Sequence, residues 1–161
     1  MSEKKTGFAY QLYENSAALD AKDASLLEEA RKITRIAYAP YSHFHVGAAA
    51  QMEDGSVVKG TNQENASYPV GTCAERVLLG VAATLHPEMA IKTMAISYAS
   101  EQMKSDHPIS PCGMCRQALL EFETRVKKPI RLILSGQEGK VIVISTASHL
   151  LPFAFTKDEL G

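Results

Sequence analysis

Three cysteines are present, and each stands where a segment with helical spacing begins. Cys73 lies in Thr72-Cys73-Ala74-Glu75-Arg76, and Cys112 and Cys115 lie in Pro111-Cys112-Gly113-Met114-Cys115-Arg116-Gln117. Cys112 and Cys115 are three residues apart, so one helical turn presents their thiols on the same side. Helix starts also carry the positive end of the helix dipole, which favours thiolate over thiol. A fold that uses all three sulfurs together has to bring two helix N-termini into one place.

The rest of the pattern supplies elements for such a fold. Leu26, Leu27, Ala30, Ile33, Ile36 and Ala37 recur at helical spacing and predict a helix over Ala24–Tyr38, with Asp23 as N-cap and Pro40 as its stop. Phe44–Met52 and Ser56–Gly60 read as strands joined at Glu53-Asp54-Gly55, because an Asp-Gly pair tolerates the positive φ angles of tight hairpins. After the polar loop Thr61–Thr72, a helix over Cys73–Leu85, a strand over Lys92–Ala99 and a loop over Glu101–Ser110 follow. A third helix is expected from about Pro111 to Val126, with Pro111 at its first position.

Ile130–Ser135 and Val141–Ser145 are β-branched strands, and Gln137-Glu138-Gly139-Lys140 between them is too short for a parallel crossover. These last two strands should be antiparallel. Helix-linked strands prefer parallel pairing, so the expected fold is α/β: three α/β/α layers around a mixed five-stranded sheet, with helices on both faces. Residues 1–22 have sparse apolar positions and are expected to form an N-terminal extension of uncertain structure. Residues 23–161 should form a single domain.

Charge narrows the partners. The formal net charge of the 161 residues is −1, and no Lys/Arg run stands out. A protein that clamps a nucleic-acid backbone usually carries a basic stripe, so a small substrate is expected and a nucleic-acid partner is not. No apolar stretch approaches about 18 residues, so no membrane span is expected. The N-terminal residues lack the apolar region of a secretory signal, which makes the cytoplasm the expected compartment, where thiols stay reduced. Lys157-Asp158-Glu159-Leu160 resembles a retention signal, but Gly161 follows it and the match reads as coincidence.

Three thiolates leave a tetrahedral zinc one open position, the mark of a catalytic site. Glu75, one residue beyond Cys73, is close enough to serve that position without being a ligand. Two other readings compete: a redox pair of Cys112 and Cys115 with Cys73 merely buried, and a structural zinc with a fourth protein ligand. His43, His45, His86, His107 and His149 are the candidates for that fourth ligand, and none has zinc-motif spacing with the cysteines. His43 and His45 share a strand face and could chelate, although a hydrogen-bonded structural pair is the simpler expectation.

Over about residues 24–160 the chain resembles the small homotetrameric cytidine deaminases of pyrimidine salvage. The resemblance rests on both cysteine motifs, Ala39-Pro40-Tyr41-Ser42-His43-Phe44 with Val46-Gly47-Ala48-Ala49, Gly60-Thr61-Asn62-Gln63-Glu64-Asn65-Ala66-Ser67-Tyr68-Pro69, and Leu150-Leu151-Pro152 with Phe155. It implies one zinc per subunit on Cys73, Cys112 and Cys115, and Glu75 as the proton carrier. Arg76 would hydrogen-bond the thiolates and Gln117 would orient Glu75. For the substrate it implies Asn62 and Glu64 on the ribose and Phe44 against the pyrimidine, with Ala66, Tyr68 and Phe155 reaching a neighbouring subunit. The activity implied is hydrolytic deamination of free cytidine and deoxycytidine. The alternatives are a deaminase for polymer-borne cytosine, a modified nucleoside or a nucleoside antibiotic, and, from another class, a non-catalytic zinc module. Deaminases of polymers commonly use His as first ligand and often have a parallel final strand pair, so Cys73 and the tight turn at Gln137–Lys140 favour the free nucleoside.

Overall fold

The computed structural model describes residues 1–161. Its strands are β1 (Gln11–Tyr13), β2 (Phe44–Met52), β3 (Val57–Thr61), β4 (Ile91–Ser100), β5 (Arg131–Ser135) and β6 (Val141–Ile144). The helices are α1 (Ala21–Ile33), α2 (Ala74–Leu85) and α3 (Gly113–Val126). The strands form one mixed sheet in the order β1-β6-β5-β4-β2-β3. Only β4 and β5 pair in parallel, and α3 is the crossover between them. The β5–β6 pair is antiparallel, as the short connection requires, with Leu132 opposite Ile144 and Ser135 opposite Val141.

Strand periodicity divides the core into two layers. Ala49, Ala95, Ile133, Val141 and Val143 face α1 through its Leu26, Leu27 and Ala30. Ala48, Ala50, Met52, Ile96, Leu132 and Leu134 belong to the opposite layer, with Leu78 and Ala82 of α2 and Leu119 and Phe122 of α3. Successive residues of a strand point to opposite faces, so a sheet covered on both sides reads as unbroken apolar runs such as Met94-Ala95-Ile96. The consequence for the site is that α2 and α3 share one face of the sheet.

The structure departs from the sequence expectations at several points. The sheet has six strands instead of five, because Gln11–Tyr13, inside the segment read as an extension, adds an antiparallel edge strand against β6. Gln11 and Leu12 are exposed and only Tyr13 is partly covered, so this three-residue strand has no apolar alternation to betray it. The N-cap of α1 is Asp20 instead of Asp23: Asp20 Oδ1 accepts from the Lys22 and Asp23 N–H groups at 3.0 and 2.9 Å. Asp23 sits in the first turn, where its carboxylate accepts a two-pronged bond from the Arg131 guanidinium, 2.7 Å at Nη1. Helix α1 ends at Ile33 and gives way to a 3-10 turn over Thr34–Ile36. Pro111 lies outside α3, with Cys112 intervening as N-cap.

The attachment of α2 to the sheet depends on Gly60. A Cβ there would lie 2.5 Å from the Ala74 carbonyl oxygen and 2.6 Å from the Leu78 nitrogen, both backbone atoms. Gly60→Ala therefore forces α2 outward. We expect it to cost about 1–3 kcal/mol of stability, the usual range for overpacking, read as a lower denaturant midpoint. An unchanged midpoint would show that the helix can shift without loss.

Candidate metal centre and active site

The two helices on that shared face begin at the same place. Cys73 is the N-cap of α2 and Cys112 the N-cap of α3, both with extended backbone and neither using its side chain to cap. Their sulfurs lie 3.7 Å apart. Cys115, one turn into α3 and fully buried, places its sulfur 3.5 Å from that of Cys112. All three sulfurs fall within 4.8 Å of one another, and no histidine or carboxylate joins the set. Thiolates about 2.3 Å from a tetrahedral zinc would stand about 3.8 Å apart, so the donor set fits that ion with one position left over. A structural site with a fourth side-chain ligand, and a redox pair with Cys73 apart, are both at odds with this arrangement.

The electrostatics suit metal binding. The Cys73 thiol is drawn down to about 6, chiefly by hydrogen bonding from Cys115, then from Cys112, with the positive charge of Arg76 adding to it. Burial acts against this and is outweighed. Cys115, as the proton-holding partner of Cys73, is pushed upward, with burial and the Glu75 carboxylate adding to the shift. Glu75 is only 5% exposed, and its carboxyl is raised above the usual carboxylate range, by burial first and by the neighbouring Cys73 charge second.

A cavity of about 410 Å³ opens onto this centre, lined by Cys73, Cys112 and Glu75 together with Phe44, Asn62 and Glu64. The structure thus gathers six of the expected residues around one space. Asn62 is braced on β2: its Oδ1 accepts from the Val46 N–H at 2.7 Å and its Nδ2 donates to the Phe44 carbonyl at 2.9 Å. Burial opposes ionisation of Glu64, yet donors from Ser42 and Tyr41 hold its carboxyl below the ordinary range. Those donors are the Tyr41 N–H at 2.9 Å, the Ser42 N–H at 3.3 Å and the Ser42 hydroxyl.

Other expected residues lie elsewhere. Tyr68 is 75% exposed and meets Tyr41 edge-on at 6.0 Å, beside a second cavity of about 360 Å³ that also borders Ser42 and Glu64. Ala66 is exposed. Phe155 is 59% exposed, and its carbonyl oxygen accepts from Gln117 Nε2 at 2.8 Å, so that amide is engaged with the C-terminal segment. His43 and His45 both face Glu101, at 3.2 and 3.5 Å, and do not join the sulfurs. The sequence reading assigned no role to Ser42, Ile109 and Ser110, which line the cavity. It also gave none to Arg116, which donates to the Pro111 and Leu150 carbonyls at 2.9 and 3.2 Å and fixes the approach to α3. Only their adjacence to the motifs could have signalled them.

Residues 20–130 match the sequence profile described as the cytidine and deoxycytidylate deaminase zinc-binding region. The chain belongs to this deaminase family. Its match to a cytidine deaminase of Halalkalibacterium halodurans is 39% identical over 136 residues, covering 84% of this chain and 96% of that protein. A cytidine deaminase of Mycobacterium tuberculosis is 38% identical over 127 residues, covering 77% and 82%. Among solved structures, the cytidine deaminase from Burkholderia pseudomallei superposes with a TM-score of 0.70 at 39% identity, covering 81% of this chain and 97% of that one. As a deaminase of this family the protein is a zinc enzyme, and Cys73, Cys112 and Cys115 supply the site its sulfurs form. No helix is long and apolar enough to cross a membrane.

The raised Glu75 carboxyl gives a pH test. In the proton-accepting role proposed for it below, Glu75 works as carboxylate, and the carboxylate fraction grows as pH rises through the folded-state value. Because that value is raised, the acid limb of kcat/KM should have its midpoint above about 4.3, the ordinary glutamate value. An acid midpoint at or below that value would contradict the environment described for Glu75.

Proposed function

We propose that this enzyme hydrolyses free cytidine and deoxycytidine to uridine and deoxyuridine, releasing ammonia. The observation that carries the reading is a buried Glu75, its carboxyl raised by desolvation, beside a three-sulfur metal centre, at a cavity that also presents Asn62 and Glu64. Relatives named cytidine deaminase match most of the chain, which supports the same substrate class. A non-catalytic zinc module would have no use for a desolvated carboxylate at that position.

The residues divide the work. Cys73, Cys112 and Cys115 would hold the zinc, which would supply the acidification of water that makes it a nucleophile near neutral pH. Glu75 takes a proton from the attacking water and delivers it to N3 as the C4–O bond forms, then carries the proton of the added hydroxyl to the amino nitrogen, so that the C4–N bond breaks and ammonia leaves. Arg76 offsets part of the negative charge of three thiolates, whose sum would otherwise weaken the metal as an electrophile. Asn62 and Glu64 recognise the ribose hydroxyls, and a site built to pair a hydroxyl discriminates strongly against ligands lacking it. Phe44 supplies an apolar face for the pyrimidine.

One relative points to a second reading. Blasticidin-S deaminase of Bacillus cereus is 28% identical over 142 residues, covering 87% of this chain and 96% of that protein. The Asn62/Glu64 pair favours a ribose-bearing substrate. We also propose a homotetramer in pyrimidine salvage in the cytoplasm, in which the exposed Ala66, Tyr68 and Phe155 contribute to the site of a neighbouring subunit.

Turnover of cytidine beside cytosine, CMP, adenosine and blasticidin S tests the assignment directly. Cytidine and deoxycytidine should be converted and the others left. Preferential conversion of blasticidin S would select the second reading. Glu75→Gln should keep its zinc and lose about 10²–10⁴-fold in kcat, the usual contribution of general acid–base catalysis. Near wild-type turnover in that variant would remove Glu75 from the chemistry.

A further inference from the structure

Two walls of the cavity come from distant parts of the chain. Phe44, at the start of β2, forms one, and Ile109 with Ser110 forms the other. The second wall is the end of the loop that follows β4 and runs directly to Cys112. Tyr98 touches both. It lies in β4 opposite Val46, is fully buried, and stacks its ring on Phe44 at 4.9 Å and 16°. Its hydroxyl reaches the loop, donating to the Lys104 carbonyl at 3.3 Å and lying 3.2 Å from Nδ1 of His107. The His107 ring meets the Tyr98 ring edge-on at 5.8 Å, and its Nδ1 is also 3.1 Å from the Asp106 carboxylate.

A buried tyrosine hydroxyl needs a partner, and here every partner belongs to the loop that carries the second wall. We propose that Tyr98 is a positioning residue of the nucleoside site: its ring backs Phe44 while its hydroxyl ties down Lys104 and His107, fixing the separation of the walls that hold the base. This rests on reading the cavity as the nucleoside site. The loop has other anchors, since the Ser100 N–H donates to Ser105 Oγ at 3.0 Å and the Glu138 N–H to the Ser105 carbonyl at 3.2 Å. Losing the hydroxyl therefore leaves the loop attached and the three sulfurs in place. The consequence falls on binding, not on zinc or on proton transfer.

Tyr98→Phe tests this, because it keeps the ring on Phe44 and removes only the hydroxyl. It should hold zinc as the wild type does, leave kcat within about twofold, and raise both the KM for cytidine and the Kd for uridine by about 3–10-fold, the effect of one hydrogen bond. His107→Ala, at a half-exposed position that tolerates truncation, should shift both in the same direction and by no more, since the Lys104 contact persists. The double variant should be no worse than Tyr98→Phe alone, since that change already removes the contact with His107. Unchanged KM and Kd, a loss confined to kcat, or effects that add in the double variant would each overturn the proposal. Calorimetry with uridine keeps the comparison readable on its own: a wild type that binds uridine but leaves cytidine intact sinks the catalytic reading and not this one.

Discussion

The meeting of two helix N-termini on one face of the sheet is the constraint from which the site follows. Cys73 and Cys112 occupy equivalent N-cap positions on α2 and α3, and Cys115 follows one turn into α3. Their sulfurs are close only because both helices pack against the same layer of β2, β4 and β5. The backbone approach at Gly60 holds α2 against β3 without an intervening side chain. Each helix start adds positive potential to a place where three thiolates must gather, so local structure and metal chemistry pull in the same direction.

Burial decides how the neighbours of the sulfurs are used. Glu75 sits in the first turn of α2, where a carboxylate is ordinarily favoured by the dipole, yet desolvation and the Cys73 charge raise its pKa. A carboxyl balanced between those influences can both accept and return a proton. Glu64 is the opposite case in the same cavity, kept ionised by backbone and hydroxyl donors from Tyr41 and Ser42. Two carboxylates with opposed shifts suit the two duties we propose for them, one on the reacting centre and one on the hydroxyls of a bound sugar.

Much of this was legible in the chain. The helical starts at the cysteines, the antiparallel final pair and the mixed sheet with helices on both faces follow from periodicity, turn chemistry and connection length. What escaped the sequence escaped for physical reasons. Gln11–Tyr13 is too short and too exposed to show alternation, and it becomes a strand only because β6 offers an edge. Asp20 and Asp23 are both acceptable caps by type, and the partner that claims Asp23, Arg131, is remote in sequence. Ser42, Ile109 and Ser110 are unremarkable by type and acquire a place at the cavity only through the fold. The surroundings of Tyr98 depend on a loop whose path no local propensity sets.

The account stands on one metal ion held by three sulfurs with a position free for solvent. X-ray absorption at the zinc edge of the purified enzyme reads that shell directly. It should report three sulfurs at about 2.3 Å and a single oxygen as fourth neighbour. A shell containing an imidazole, a shell of four sulfurs, or protein that takes up no zinc would contradict it.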